Sequence, residues 1–208
     1  MTRTGPIPGA SLLARLAAAA RRPGIRRTSG QTGIPSAVLV PLVNHADGLT
    51  ILLTQRTIHL ASHRGQVCFP GGQVEAGDPG PVATALRETA EEIGLPSHAV
   101  TVIGCLDDYE TLSGFVVTPV VGLIQPPLVL HTAPEEVAAV FEMPLPFLLN
   151  PAHHQRLTPA HSQILRTTYA IPYQGYYIWG ATAAILMNLY RIVVAGTDVR
   201  EDAGARPC

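Results

Sequence analysis

The amino-acid sequence predicts an α/β fold in which a mixed β-sheet lies between helices. Five runs enriched in β-branched or apolar residues, with glycine, proline or aspartate at their ends, are typical of strands. Three further segments fit helices. The predicted strands lie near residues 37–43, 50–56, 66–69, 100–106 and 115–123, and the predicted helices lie near residues 81–93, 145–150 and 179–194.

The helix predicted over residues 81–93 has clear limits. Pro81 suits a first helical position, where its missing N–H costs nothing, and Gly94 suits the residue just past the end. An apolar stripe recurs at helical spacing between them and predicts the face that packs against the core. The stripe consists of Val82, Leu86, Thr89 and Ile93.

Three glutamates fall on one turn of this helix, opposite the apolar stripe: Glu88, Glu91 and Glu92. Like charges at this spacing destabilise a helix unless something positive lies among them. Arg87 can pair with Glu91, which leaves Glu88 and Glu92 facing each other one turn apart. A hard cation such as Mg²⁺, which prefers a few carboxylates plus phosphate oxygens, would compensate them. The pattern indicates a divalent-metal site, and the alternative is a solvated acidic face.

Two glycines precede the helix in the run FPGG. Gly71 and Gly72 let the backbone turn tightly and approach a ligand closely. Taken alone, the pair is equally typical of an ordinary turn. The glutamates that follow at a fixed distance favour a ligand site, because a motif gains meaning from such context.

The stretch from Gly72 to Leu95 resembles the Nudix box, a loop, helix and loop of pattern G-x5-E-x7-R-E-U-x-E-E-x-G-U, where U is a bulky apolar residue. Seven residues match it: Gly72, Arg87, Glu88, Glu91, Glu92, Gly94 and Leu95. Asp78 takes the place of the first glutamate, eight residues separate it from Arg87, and Thr89 stands at a usually apolar position. The resemblance implies a Nudix α/β/α sandwich with a mixed β-sheet and a loop-helix-loop metal site.

Two upstream segments are similar to the bacterial coenzyme A pyrophosphatase branch of that family. The branch carries the aspartate with the longer spacer, preceded by LLTxR-[ST] and H-x-G-x-V-x-FPGG. This chain reads LLTQRT over residues 52–57 and HRGQVCFPGG over residues 63–72. The resemblance extends from about Ala37 to Tyr190. It departs at Ala61, where the branch usually has a basic residue, so one phosphate contact is expected to be missing.

The resemblance implies metal-dependent hydrolysis of the diphosphate bond of coenzyme A or a derivative, giving 3′,5′-ADP and 4′-phosphopantetheine (or its acyl derivative). Mg²⁺ or Mn²⁺ would be the cofactor. Glu88 and Glu92 would hold the metal, with Glu91 completing the cluster and the Gly72 carbonyl as a further ligand. Arg87 would orient the carboxylates. Catalysis has to neutralise the diphosphate oxygens and orient a water.

Substrate contacts and the general base are predicted outside the box. Arg56 and Arg64 are candidates for the phosphates, the alternative being surface salt bridges, and Gly71 offers a close backbone approach. In this superfamily the base often comes from an acidic residue beyond the box, and Glu136 is preferred to Glu135. The alternative for both is an acidic first helical turn after Pro134, which would favour the helix dipole.

The composition of the chain limits the classes of partner and reaction that are expected, and it predicts a cellular compartment. The chain has 208 residues, 47% of them hydrophobic, and a formal net charge of −1, which argues against a general nucleic-acid binder. All 14 basic residues are arginine, so a P-loop lysine and Schiff-base chemistry are excluded. The cysteines, Cys68, Cys105 and Cys208, form no metal-ligand spacing and predict a reducing, cytoplasmic compartment. The longest apolar run, over residues 176–189, is too short to span a bilayer.

Three parts are predicted along the chain: an N-terminal Arg/Ala-rich helix and linker over residues 1–35, a Nudix domain over residues 36–195, and a tail over residues 196–208. The N-terminal helix, ASLLARLAAAARR, is compatible with docking on the domain. It also resembles a mitochondrial transit peptide, which keeps a mitochondrial location as the alternative. A segment from Pro144 to His161 is predicted to be a loop region with solvated histidines: His153, His154 and His161.

Other functions stay open at this point. One is a Nudix pyrophosphatase for another nucleoside diphosphate, such as ADP-ribose or a dinucleotide. A second is a catalytically silent Nudix domain that senses a nucleotide, although the intact glutamate set argues against it. A third is an RNA-processing Nudix enzyme, which would be expected to have a basic strip that this sequence lacks. The form of coenzyme A, the choice between Mg²⁺ and Mn²⁺, and the oligomeric state, a homodimer included, are left undetermined.

Overall fold

The computed structural model describes residues 9–20, 33–59, 63–157 and 168–195. Several predicted features lie outside the described residues: Ala61, His161, Cys208, residues 21–32 of the linker, and the tail over residues 196–208. The predicted domain boundaries therefore stay predictions.

A mixed sheet of eight strands forms the centre of the described residues. In chain order its strands are β1 (Ile34–His45), β2 (Gly48–Arg56), β3 (Val67–Cys68), β4 (Gly71–Gln73), β5 (Val100–Cys105), β6 (Tyr109–Glu110), β7 (Phe115–Ile124) and β8 (Val137–Pro144). The main path runs β3-β2-β1-β7-β5, while β4 pairs with β1, β6 with β7 and β8 with β2. The β1 and β7 strands are parallel, and their other neighbours are antiparallel. The predicted mixed sheet is confirmed.

Helices cover both faces of this sheet, together with a small antiparallel sheet on one side. The helices are α1 (Gly9–Ala19), α2 (Pro81–Ile93), α3 (Leu145–Leu149) and α4 (Gly180–Ala195), and the small sheet contains β9 (Gln155–Leu157), β10 (Thr168–Tyr173) and β11 (Tyr176–Trp179). Adjacent β1 residues face opposite cores. Leu39 packs in the cluster under α2, and Val40 packs in the cluster under α4. Burial on both faces explains why β1 is an almost continuous apolar run.

The α2 helix begins and ends where the sequence predicts. Pro81 occupies its first turn, and Gly94 ends it in the left-handed conformation, with φ 70° and its N–H donating to Ala90 O. Thr89 is fully buried at the position that is usually apolar. Its hydroxyl donates to Ala85 O at 2.6 Å, so the buried polar atom keeps a partner.

The N-terminal helix α1 lies against α4. Leu16 is fully buried in the core beneath α4. The Nη1 of Arg15 donates to Val193 O, near the end of α4, at 2.7 Å, where a cation suits the unpaired carbonyls. This contact is what a helix docked on the domain would make. No helix within the described ranges combines the length and the hydropathy needed to cross a bilayer.

The segment from Pro144 onward is more ordered than predicted. It contains α3, as expected, and also a short 3₁₀ helix (Pro151–His153) and β9. The interpretation of His153 and His154 as solvated loop histidines is wrong. The His153 ring stacks on Phe147 with centroids 3.7 Å apart, and His154 Nε2 donates to Leu148 O at 2.7 Å. Both rings act as packing residues that satisfy carbonyls of α3.

Candidate active site

A cleft opens beside the β4 edge of the main sheet and brings together residues far apart in the sequence. Its polar part is lined by Arg56, His63, Gly71, Gly72, Glu88, Glu92 and Glu136. Its other part is lined by Ser36 and Val38 of β1, Gln73 of β4, and Phe115 and Val117 of β7. Arg56, Gly71, Gly72, Glu88, Glu92 and Glu136 are six of the residues that the sequence predicts for the site.

The two glycines allow this convergence because they remove side chains where backbone and carboxylate meet. Gly71 and Gly72 pair with Val38 and Ala37 of β1. A Cβ at Gly71 would lie 2.6 Å from Val38 Cα, and its φ of 150° is one that other residues rarely adopt. A Cβ at Gly72 would lie 2.6 Å from Glu88 Oε2. Gly71 thus permits the close strand pairing, and Gly72 leaves room for the Glu88 carboxylate.

Glu92 is the most deeply buried acid of the cleft, with 5% of its side chain exposed. Burial raises its pKa to about 7, although Arg56 and the Gly71 N–H favour the charged form. Arg56 Nη1 lies 3.6 Å from Glu92 Oε1, and the Gly71 N–H donates to Oε2 at 3.3 Å. Burial likewise raises the pKa of Glu88, against the pull of Arg87. Two acids that resist ionisation side by side indicate a site that a cation would stabilise.

Arg87 forms a network of hydrogen bonds and ion pairs with the acidic residues around it. Its Nε and Nη2 donate to the two carboxylate oxygens of Asp78 at 3.2 and 3.1 Å. Nη1 donates to Glu91 at 3.0 Å, which confirms the predicted pair. Nη2 also contacts Glu88 Oε1 at 3.0 Å and donates to Gln73 O at 3.1 Å. Arg87 therefore ties the helix to the strand β4, and Asp78 is the residue that orients its guanidinium.

Asp78 is held by partners on both sides, although its position and spacing depart from the Nudix pattern. The hydroxyl of the fully buried Thr84 donates to Oδ2 at 2.8 Å, and the Glu75 N–H donates to the same oxygen at 3.0 Å. The Asp78 N–H in turn donates to Glu75 O. The shorter acid thus reaches Arg87 from a tight turn that accommodates the extra residue.

Asp78 should make stability depend on pH in the acid range. The hydrogen bond from Arg87 lowers its pKa to about 2 from an ordinary 3.8. A lowered folded-state pKa stabilises the fold above the unfolded value, and the contribution is lost as pH falls from about 4 towards 2. We expect Asp78→Asn to be less stable than wild type at pH 6, and the difference to shrink as pH falls through this window. Urea unfolding at several pH values measures it. Asp47→Asn, at an exposed position, is the control, and a gap that does not depend on pH would contradict the assignment.

Glu136 faces the cleft from the turn that precedes β8. The Thr57 N–H donates to Glu136 O at 2.9 Å, and the Thr57 hydroxyl donates to Glu135 O at 2.9 Å. The end of β2 thereby fixes this turn. The helix considered after Pro134 does not form, because residues 134–136 make a turn that leads into a strand. Glu135 is exposed and lies outside the lining, which agrees with the preference for Glu136.

Three predicted site residues do not line the cleft. Arg87 contacts the cleft residue Glu88 from outside that lining. Glu91 has 59% of its side chain exposed and contacts Arg87, and Arg64 is exposed. His63, given no role by the sequence analysis, lines the cleft instead. The signal that could have found it is its position as the first residue of the HRGQVCFPGG segment.

The acids of the cleft fit a partial metal site. Within the part of the chain that the structure describes, no three His, Cys, Asp or Glu side chains group closely enough to hold an ion by themselves. Glu88 and Glu92 could supply carboxylates and Gly72 a carbonyl. Mg²⁺ is typically bound by one or two carboxylates, several waters and substrate phosphate oxygens. An incomplete set of protein ligands is therefore compatible with Mg²⁺ or Mn²⁺ that binds together with a phosphorylated substrate.

Comparisons with known proteins agree with this geometry. The NUDIX domain family matches residues 33–166. The chain is 43% identical over 154 residues to the uncharacterized Nudix hydrolase NudL of Escherichia fergusonii, covering 74% of this chain and 80% of the relative. NudL of Enterobacter sp. strain 638 is 44% identical over the same shares. The solved MutT/nudix family protein from Enterococcus faecalis, 19% identical, shares the fold with a TM-score of 0.52 over 82% of this chain and 66% of its own.

The fold and the acidic cleft define a class of metal-using hydrolases that act on nucleoside diphosphate derivatives. The chain belongs to the Nudix family. Its fold is the Nudix α/β/α sandwich with a mixed sheet. Nudix hydrolases generally use divalent ions such as Mg²⁺ or Mn²⁺ and bind small nucleotide substrates.

Proposed function

We propose that this protein hydrolyses the diphosphate bond of coenzyme A or a close derivative. The products would be 3′,5′-ADP and 4′-phosphopantetheine. One observation carries the proposal: both segments similar to the coenzyme A branch, residues 52–57 and 63–72, contribute to the lining of the cleft that holds Glu88 and Glu92. The first contributes Arg56, and the second contributes His63, Gly71 and Gly72. Segments that served only the fold would have no need to meet at the acids. The resemblance thus coincides with the site.

Glu88 and Glu92 would hold the metal in this proposal. Their carboxylates share the cleft, and burial, which raises the pKa of both, makes charge compensation necessary at neutral pH. A bound divalent cation would neutralise diphosphate oxygens and so ease attack on phosphorus. Arg87, held by Asp78, positions Glu88 by the 3.0 Å contact between Nη2 and Oε1.

Arg56 and Glu136 would act on the substrate and the water. Arg56 has its guanidinium beside Glu92 and 23% of its side chain exposed, so it can also donate to a phosphate oxygen. Glu136 would accept the proton of the attacking water. The water oxygen bonds to one phosphorus, the bond from that phosphorus to the bridging oxygen breaks, and the second phosphate leaves with the bridging oxygen.

The choice of substrate is tested by direct comparison. Coenzyme A, 3′-dephospho-coenzyme A and ADP-ribose are incubated separately with the protein and Mg²⁺ or Mn²⁺, and the products are identified by mass spectrometry. We expect kcat/KM for coenzyme A to exceed that for ADP-ribose by about tenfold or more, because a site that hydrogen-bonds a group discriminates against substrates that lack it. 3′-Dephospho-coenzyme A should fall between the two or close to ADP-ribose.

Two other outcomes are informative. Equal or faster cleavage of ADP-ribose would reject the coenzyme A proposal and favour a Nudix pyrophosphatase for another nucleoside diphosphate. Binding of a nucleotide without turnover of any of the three substrates would instead favour a silent sensing domain.

EDTA should abolish the turnover that the metal-supplemented protein shows, and added Mg²⁺ should restore it.

A further inference from the structure

We infer that His63 binds a phosphate group of the substrate through Nε2 of its imidazole ring. The inference rests on the proposed function, because it assigns one further residue of the same cleft. The sequence indicates Arg64 as a candidate for a phosphate contact. Both His63 and Arg64 are exposed, but His63 lines the cleft and Arg64 lies outside that lining.

Gln66 holds the His63 ring in one orientation. Nδ1 of His63 lies 2.9 Å from Oε1 of Gln66. Because an amide oxygen only accepts hydrogen bonds, Nδ1 carries a hydrogen in this contact. Because Gln66 occupies Nδ1, Nε2 is the ring nitrogen with which His63 would contact a ligand of the cleft.

The backbone that carries the ring is held in an unusual conformation. His63 has φ 56°, in the left-handed region that few non-glycine residues occupy. The Gln66 N–H donates to His63 O at 3.2 Å, and the Gly65 N–H donates to Thr57 O at 3.4 Å. Gln55 Nε2 donates to Gly65 O at 3.2 Å. Residues kept in this region by such surrounding bonds cluster at ligand sites.

The charges of the cleft leave a role for another donor. Among the described residues that line it, Arg56 is the only arginine, and it is shared with Glu92. The other charged groups that His63 faces across the cleft are the acids Glu88, Glu92 and Glu136. A phosphate oxygen accepts hydrogen bonds and donates none. The proposed contact between His63 Nε2 and phosphate therefore requires an imidazole ring that carries a hydrogen on both nitrogens. One guanidinium alone would leave most of the phosphate oxygens without a charged protein donor.

Substitutions that keep the backbone conformation test the inference. Asparagine and glycine both adopt the left-handed region, so His63→Asn and His63→Gly should fold as the wild type does. We expect His63→Gly to raise KM for coenzyme A about tenfold, since a charge-assisted hydrogen bond is lost, with kcat little changed. His59→Asn, at an exposed residue of the same loop outside the cleft lining, should leave KM unchanged.

A second measurement does not depend on turnover. In protein labelled with ¹⁵N-histidine, inorganic pyrophosphate is added in Mg²⁺-containing buffer, and the ring nitrogens are followed by NMR. We expect the Nε2 resonance of His63 to move to the protonated position at saturation, while that of His59 stays in place. The resonance is assigned by its loss in His63→Asn.

The two substrates with and without a 3′-phosphate identify the group that is bound. A rise in KM for both coenzyme A and 3′-dephospho-coenzyme A would assign the diphosphate, and a rise for coenzyme A alone would assign the 3′-phosphate. Failure of the wild type to cleave coenzyme A would reject the proposed function but not this inference, which is then measured with ADP-ribose and pyrophosphate. KM values within about twofold of wild type in both variants, together with an unmoved Nε2 resonance, would overturn it. A fall in kcat at constant KM would also overturn it.

Discussion

Replacing Glu92 with glutamine is expected to lower turnover by at least about 100-fold while the fold is retained. The amide keeps the volume of the side chain and removes the charge that would hold a divalent cation. Burial raises the pKa of Glu92 from an ordinary 4.5 to about 7. A raised folded-state pKa means that the contribution of this group to stability declines as pH rises from about 4.5 to 7. A neutral amide avoids that loss, so the variant should melt no lower than wild type at pH 7.5.

Glu91→Gln is the matched control for this experiment. Glu91 lies one position before Glu92, but 59% of its side chain is exposed and it pairs with Arg87 outside the cleft. We expect Glu91→Gln to retain most of the turnover, so that the two neighbouring variants separate a metal ligand from an acid of the surrounding network. Steady-state rates with saturating Mg²⁺ and thermal melts of both variants provide the comparison. Substantial residual activity in Glu92→Gln would contradict the assignment of Glu92 as a metal ligand.

Local spacing determined the part of the site that the sequence could predict. The limits of α2, its packed face and the neighbouring carboxylates all follow from a repeat of 3.6 residues and from two residues with strong preferences, Pro81 and Gly94. The Nudix resemblance placed Asp78 at the position of the first glutamate of the box, and the structure shows that it pairs with Arg87. None of these inferences needs a contact between distant segments, which is why the structure agrees with them closely.

Contacts between distant segments could not be predicted from local residue spacing. Helical spacing places Glu91 beside Glu88 and Glu92, but the position of β4 determines which carboxylates enter the cleft and which one pairs with Arg87 on the outside. His63 reaches the cleft through a left-handed backbone and a hydrogen bond to Gln66, and neither has a periodic signal. The strand β8 was missed as an element because its pairing with β2 becomes visible only when the sheet is assembled.

Gly71→Ala is expected to destabilise the protein by roughly 3 kcal/mol or more, the sum of a strained backbone and an overpacked contact. The added Cβ would lie 2.6 Å from Val38 Cα and would overlap Ala37 O, and both belong to the backbone of β1. Neither can move as a flexible side chain could. Because the Gly71 N–H donates to Glu92, a shift of β4 away from β1 should also disturb the cleft. Urea unfolding measures the change in the free energy of unfolding.

Two neighbouring glycines provide the controls that separate packing from chemistry. A Cβ at Gly77 would meet nothing within 4 Å, so Gly77→Ala should change stability by no more than about 0.5 kcal/mol. A Cβ at Gly72 would collide with the Glu88 carboxylate, the end of a side chain that can swing aside. Gly72→Ala should therefore lose turnover by a larger factor than Gly77→Ala, while losing less stability than Gly71→Ala. If Gly71→Ala unfolds at the same urea concentration as Gly77→Ala, the close approach of β4 to β1 is not what holds this edge of the sheet together.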